Sequence, residues 1–403
     1  MKPEETTALK QTVARLVERD IAPAMAALEA AGEFPHGLIE AMGSAGLFGA
    51  TFPQSLGGSA MGFEAVATVA EEISRLAPEF GYAMNLQAMT CPYTIYNWGS
   101  DEQVERYVPD LIAGRRIGMF ALTEPAGGSD AAGSMKTTAE RHGDHYRLAG
   151  SKQWITFADA CDCGLIFAKT DVSAGHRGIT AFIVEPKTMT GFSAEPIVMS
   201  GLSTSLRTCS VFLEDARVPV ENRLGAEGEG FAIAMNALEY GRLTVSSRLV
   251  GLAQACLDHA VAYARERVVG GRPIAQYQMI QHLIADMAVN IDAARGLTRH
   301  MAETMARGEP ATRASSRAKY FAANAARHAA QSAAEIFAAQ GLAAESPIAK
   351  ITAYVNMLCV GEGTANVQRI LIAEDALGLK DANRHRPRNR FAEENPPGEQ
   401  TLE

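Results

Sequence analysis

The chain has 403 residues, 47% apolar and 21% charged, which is enough for two or three packed units and excludes a mostly disordered protein. A net charge of −9 disfavours a nucleic-acid partner. No apolar run approaches the roughly 20 residues that span a bilayer, and the opening MKPEETTALKQTVARLVERD reads as a charged helix start, so a soluble cytoplasmic enzyme without membrane insertion is expected.

From Thr6 to about Met119 the pattern is helical, with Val13, Leu16 and Ile21 spaced for one helix face. Phe52-Pro53 and Leu56-Gly57-Gly58 mark a long turn, and Phe63 to Leu76 reads as an amphipathic helix. A further helix is predicted from Asp101 to Ala113, capped by Ser100 and acidic in its first turns as the helix dipole prefers. After Arg116 the period changes. Tyr146 to Leu148, Leu165 to Lys169, Ile179 to Val184 and the alternating Cys209, Val211 and Leu213 predict a β domain over residues 119 to about 220. From Phe231 helices return, with an apolar stripe at Leu249, Leu252, Cys256, Ala260 and Tyr263. Alanine-rich segments at 278–306 and 311–339 suit a close-packed bundle and an oligomer interface.

The six cysteines are dispersed except for Cys161 and Cys163, a spacing without a partner pair to complete a metal site, so buried thiols and no metal are expected. The segment from Asp381 to the end, with Arg384, Arg386, Arg388 and Arg390, reads as a mobile solvated tail.

Met119 to Thr156 joins a short apolar run, Phe120-Ala121-Leu122-Thr123, to the turn Ala126-Gly127-Gly128-Ser129-Asp130 and then to a hairpin ending in Trp154-Ile155-Thr156. By itself a Gly-Gly-Ser turn is an ordinary connector that can also wrap an anion, and it matches neither the Walker loop nor the dinucleotide fingerprint. TEPAGGSD followed some two dozen residues later by KQWIT resembles the flavin-binding middle domain of the acyl-CoA dehydrogenase family, and the resemblance extends over about residues 5 to 380.

That resemblance implies an α+β fold: an N-terminal helical domain (1–118), a central β-barrel flavin domain (119–225) and a C-terminal four-helix bundle (226–380), followed by the tail (381–403). It implies FAD, with the isoalloxazine held by Phe120, Leu122, Thr123, Gly128, Ser129, Trp154, Ile155 and Thr156. A flat heteroaromatic ring needs backbone partners at its edge and an apolar wall on its face, which Thr123, Thr156, Leu122 and Trp154 can supply.

Glu362, in LCVGEGTANVQRI, lies where the family's EGT motif carries the catalytic base, with Gly363 and Thr364 beside it. A base that removes a proton α to a thioester needs desolvation to raise its pKa, and the developing oxyanion needs preorganised donors, of which the Glu362 N–H is one that the resemblance implies. Arg242, with Glu239 before it, matches an arginine near the CoA arm, and Ser129 and Gly363 are further candidates for substrate contact. Gly241 stands where one branch of the family places its base, leaving Glu362 as the candidate.

For the ADP end of FAD the resemblance points to Arg267 and Gln278, reaching the cofactor of a neighbouring subunit, and to Glu335, Ala338, Ala339, Thr364 and Asn366. Here the sequence departs from the family: Gly270 replaces a phenylalanine, Ala338-Ala339 a Gly-Gly pair, Glu335 a glutamine and Asn366 a longer amide. The expected reaction is α,β-dehydrogenation of an acyl-CoA in fatty-acid or acyl-CoA metabolism, by a homodimer or homotetramer passing electrons to an electron-transfer flavoprotein. Alternatives are the same chemistry on an acyl-carrier protein, a flavin-dependent oxygenase or oxidase, and a non-catalytic relative.

The stretch FGYAMNLQAMTCPYTIYNWGSDEQ looks closest to the glutaryl-CoA branch, but Gly81 replaces that branch's carboxylate-binding arginine. With no Lys or Arg between Arg75 and Arg106, an uncharged, small or branched acyl group is expected, lined by Tyr82, Met84 and Leu86.

Overall fold

The computed structural model describes residues 1–383 and 388–396. Its N-terminal part is helical: α1 (Pro3–Leu16), α2 (Ala22–Ala31), α3 (His36–Ser44), α4 (Phe63–Leu76), α5 (Gly81–Met84), α6 (Pro92–Trp98) and α7 (Asp101–Ile112). The α4 helix has the bounds its apolar spacing predicts, burying Val66, Val69, Ala70 and Ile73. Ser100 caps α7, its side chain accepting the Gln103 N–H while the Gln103 amide accepts from the Ser100 N–H. Between α5 and α6 the chain widens into a π-helical segment, Asn85–Thr90, of the kind that often marks a functional site.

The central strands are β1 (Gly118–Ala121), β2 (Thr138–His142), β3 (His145–Thr156), β4 (Cys163–Lys169), β5 (Ile179–Val184), β6 (Phe192–Ile197), β7 (Thr208–Pro219) and β8 (Arg223–Leu224). They form a mixed sheet ordered β6-β7-β3-β2-β4-β5-β8, with β1 parallel to β4. β4 and β5 are apolar on both faces because both are covered: Leu165, Phe167, Ile179, Ala181 and Ile183 join the core shared with the helices, while Ile166, Ala168, Phe182 and Val184 pack with Tyr146 and Val211.

The C-terminal part opens with α8 (Gly230–Glu266), 37 residues long, followed by a hairpin of β9 (Val268–Val269) and β10 (Arg272–Pro273). Then come α9 (Gln278–Ala306), α10 (Thr312–Phe337), α11 (Pro347–Val360) and α12 (Ala365–Ala376). The alanines of α10 are buried between α8 and α9, as small residues in a tight bundle should be. α4 also lies against α8, so closely that a Cβ at Gly251 would sit 2.1 Å from the Glu71 carbonyl oxygen.

Residues 388–396 differ from the mobile tail expected of them. They form α13 (Arg390–Glu394), which docks on the N-terminal helices. Phe391 packs edge-on against Phe63 at 5.3 Å, and the buried Asn389 accepts from the Tyr93 hydroxyl at 2.9 Å and donates to the Met305 carbonyl at 2.7 Å. Arg390 pairs with Asp101 and Glu394, and the Arg388 guanidinium lies 5.1 Å from the Trp98 ring centre; Arg384 and Arg386 lie outside the described residues. The polar composition concealed one aromatic anchor. All six cysteines are buried free thiols, and no described helix is long and apolar enough to cross a membrane.

Candidate active site

Glu362 lies in the short loop between α11 and α12, with φ at +55°, followed by Gly363 at +89°. A non-glycine residue in the left-handed region costs free energy and persists only where its surroundings hold it. Those surroundings are buried donors. Arg242 of α8 donates to the Glu362 carbonyl at 3.3 Å, and the Lys319 ammonium of α10 donates to the Gly363 carbonyl at 2.7 Å and the Cys359 carbonyl at 3.2 Å. The Gln368 amide adds a bond to the Gly363 carbonyl at 3.1 Å. Burial lowers Lys319 to about 8, so it still carries its charge at neutral pH.

The carboxylate itself is held at one oxygen. Asn85, in the π-helical segment, donates to Glu362 Oε1 at 2.9 Å, and Thr244 of α8 donates to Asn85 Oδ1 at 2.6 Å, which fixes the amide with its NH₂ toward the carboxylate. Oε2 is sealed from solvent and has no hydrogen-bond partner among the described residues. It lies against Gly241, where an added Cβ would be 2.9 Å away. Burial pushes the Glu362 carboxyl above its ordinary range, and the Asn85 bond with the Arg242, Lys319 and Arg248 cations offsets part of that rise.

Arg242 and Glu239 are both buried. Arg242 also reaches Ser315 Oγ at 3.5 Å, and Glu239 accepts the Ala311 N–H at 2.7 Å. Burial drives Glu239 up to about 7. Arg242 thus shapes the loop that carries Glu362.

The second element of the site is built on β3. Its ladder with β7 breaks register between Lys152 and Ile155, and at that break Trp154 takes φ +65°. Such a bulge re-aims a side chain. The Trp154 indole is left 52% exposed, while Ile155 turns into the sheet. The Gln153 N–H donates to the Thr123 carbonyl at 2.9 Å, joining the Leu122-Thr123 loop to the Trp154-Ile155-Thr156 strand end. Beneath this junction lies a buried ion pair: the Lys152 ammonium reaches Glu124 Oε1 at 2.8 Å and the Leu122 carbonyl at 3.2 Å. Glu124 also accepts the N–H groups of Lys136 at 2.6 Å and Thr137 at 3.0 Å.

Tyr82 bridges the two elements. Its ring lies under the Arg248 guanidinium at 5.1 Å. Phe157 packs on the same tyrosine at 6.2 Å. The fold therefore brings Leu122, Thr123, Trp154, Ile155 and Thr156 together, with Tyr82 and Arg248 on the way to Glu362. Phe120 packs on Phe167 at 5.0 Å, and Gly128 and Ser129 sit on the exposed turn after Thr123.

The remaining candidates lie apart from Trp154, and no hydrogen bond joins them to it among the described residues. Arg267 and Gln278 are exposed around the β9–β10 hairpin, and Glu335, Ala338 and Ala339 are exposed at the end of α10. Ala338 adopts φ +52° and ψ −137°, a conformation suited to glycine. Thr364 caps α12, and Asn366 accepts from Arg369 at 2.8 Å. Asn85, Thr244, Lys319, Gln368 and Arg248 had no signal in the sequence. Each lies in a helical pattern that does not single it out from its neighbours.

A desolvated glutamate on the loop between α11 and α12 and an exposed tryptophan beside the Leu122-Thr123 loop are the two elements of the candidate site. The family description "Acyl-CoA dehydrogenase, N-terminal domain" matches residues 3–115, "Acyl-CoA dehydrogenase, middle domain" residues 119–216, and "Acyl-CoA dehydrogenase, C-terminal domain" residues 228–377. The chain belongs to the acyl-CoA dehydrogenase family. It is 38% identical to an acyl-CoA dehydrogenase of Bacillus subtilis, over 93% of this chain and 98% of the relative. It is 37% identical to a glutaryl-CoA dehydrogenase of Desulfococcus multivorans, over 94% and 98%. It is also 37% identical to the Caffeyl-CoA reductase-Etf complex subunit CarC of Acetobacterium woodii, over 86% and 91%. The solved structure of the glutaryl-coenzyme A dehydrogenase glutaryl-CoA complex superposes with TM-score 0.91 at 36% identity, over 95% of this chain and 98% of that one.

Proposed function

We infer that the protein is an FAD-dependent dehydrogenase that introduces a trans α,β double bond into an acyl-CoA, with Glu362 as the base. The observation that carries this reading is the sealed Glu362 carboxylate, anchored at one oxygen by Asn85 and elevated in pKa by burial. The platform fits a flavin: Trp154 is half-exposed on a bulge, and its indole has no ring or hydrogen-bond partner among the described residues. Leu122, Thr123, Ile155 and Thr156 adjoin it, with Gly128 and Ser129 on the neighbouring turn. When bound, FAD supplies the acceptor for the hydride lost from the β carbon.

The chain's own groups do the rest. Glu362 takes the α-proton, and the Asn85–Thr244 pair keeps the carboxylate aimed. Arg242, Lys319 and Gln368 hold the two carbonyls of the loop, so that the Glu362 N–H is fixed as an oxyanion donor. Anaerobic addition of a panel of acyl-CoA thioesters to the purified holoprotein is expected to bleach the flavin band. A panel in which none does so removes the dehydrogenase assignment. An electron-transfer flavoprotein is the acceptor the reading implies, since one relative is named as part of a reductase-Etf complex.

The proposed assembly is a homodimer or homotetramer, with Arg267 and Gln278 meeting the partner's cofactor. Exposed apolar residues beside them support this: Val268 is 55%, Val269 50% and Met279 73% exposed. Light scattering is expected to give at least a dimer, and a monodisperse monomer with full flavin content would contradict it.

A further inference from the structure

Arg248 lies on α8 seven residues beyond Gly241. At about 1.5 Å rise per residue the two occupy one helix face, about 10 Å apart along the axis, and the Gly241 end is where the Glu362 carboxylate sits. Arg248 is 2% exposed. Its guanidinium points at Gly81: a Cβ there would lie 2.5 Å from Arg248 Nε and 2.6 Å from Ser74 Oγ. Arg248 Nε and Nη2 and Ser74 Oγ are all sealed from solvent, and none has a hydrogen-bond partner among the described residues. The acidic groups whose fields reach Arg248 are Tyr82, Tyr354 and Glu362.

An arginine buried in this way is costly. A desolvated cation is costly unless paired, and the cation–π contact with Tyr82 offsets only part of that cost. The absence of a Lys or Arg between Arg75 and Arg106 led to the expectation of an uncharged acyl group. That segment indeed carries none, but α8 delivers a cation to Gly81 from the other side.

We propose that Arg248, together with Ser74, receives the distal carboxylate of a short dicarboxylic acyl-CoA whose α carbon faces Glu362. This rests on the dehydrogenase reading and names its substrate class. The guanidinium offers Nε–H and Nη2–H as a fork suited to a carboxylate, and the Ser74 hydroxyl adds a third donor. Gly81, with no side chain, lets the guanidinium and the Ser74 hydroxyl approach where a Cβ would collide with both. Tyr82 lines the approach and holds the guanidinium plane over its ring.

The test uses the holoenzyme with succinyl-, glutaryl-, butyryl-, isobutyryl- and 4-hydroxybutyryl-CoA, measuring kcat/KM by dye reduction and Kd by calorimetry. One dicarboxylic thioester is expected to exceed the neutral ones by about 100-fold in kcat/KM. Arg248→Gln should erase that preference mainly through KM and Kd for the dicarboxylic thioester, and Arg248→Lys should restore part of it. Turnover that favours butyryl-, isobutyryl- or hydroxybutyryl-CoA in the parent overturns the carboxylate assignment while leaving the dehydrogenase standing. Tight glutaryl-CoA binding lost in Arg248→Gln, with no flavin reduction by any thioester, supports the Arg248 assignment and sinks the dehydrogenase instead. The parent panel is decisive even if a variant fails to fold.

Discussion

Glu362→Gln is expected to leave FAD bound and the fold intact while lowering flavin reduction by an acyl-CoA about 10²- to 10⁴-fold, the usual worth of general-base catalysis. The amide has the volume of the carboxylate and can still meet Asn85, but it cannot accept the α-proton. The parent should show the matching pH dependence. Its carboxylate is the reactive form and its pKa is raised by burial, so kcat/KM should climb with pH and level off only above the ordinary carboxylate range. A Glu362→Gln protein retaining more than about one hundredth of parental turnover would take the role of base away from Glu362.

Lys152→Met is expected to cost about 3–5 kcal/mol, because removing one partner of a buried ion pair leaves the other charge uncompensated. Lys152 is fully buried and Glu124 is 5% exposed. Burial pushes Glu124 up, but Lys152 and the Thr137 and Lys136 donors more than offset it, so its carboxyl lies below the usual range. Burial takes Lys152 down to about 8. Both groups are therefore charged at neutral pH. At about 2.1 cal/mol/K per residue, the unfolding entropy of a 403-residue chain gives about 1 °C per kcal/mol, so the melting temperature should fall by about 4–6 °C. The loss should come with release of FAD, since the same lysine holds the Leu122 carbonyl beside Thr123. Glu124→Gln combined with Lys152→Met should recover part of the loss, because no unpaired charge remains. An unchanged melting temperature in Lys152→Met would mean that water reaches Glu124 and compensates it.

The sequence by itself determined the order of helices, strands and helices, because apolar residues recur with period 3.6 in α4 and alternate along β7. It also singled out Glu362 and Trp154 as candidates, since glycine-flanked or turn-linked motifs are contiguous and survive as strings. The packing of residues 388–396 was not legible, for a single Phe391 among polar residues carries no period.

Only the tertiary structure decided what surrounds Glu362. Asn85 and Thr244 belong to different elements 159 positions apart, and Lys319 reaches the loop across 44. Arg248 was hidden for a further reason. The stretch from Glu239 to Ala253 is buried on every side, so no polar face distinguishes an arginine aimed at Gly81 from its neighbours. A helix enclosed all round has lost the amphipathic signal that tells a sequence reader where each side chain points.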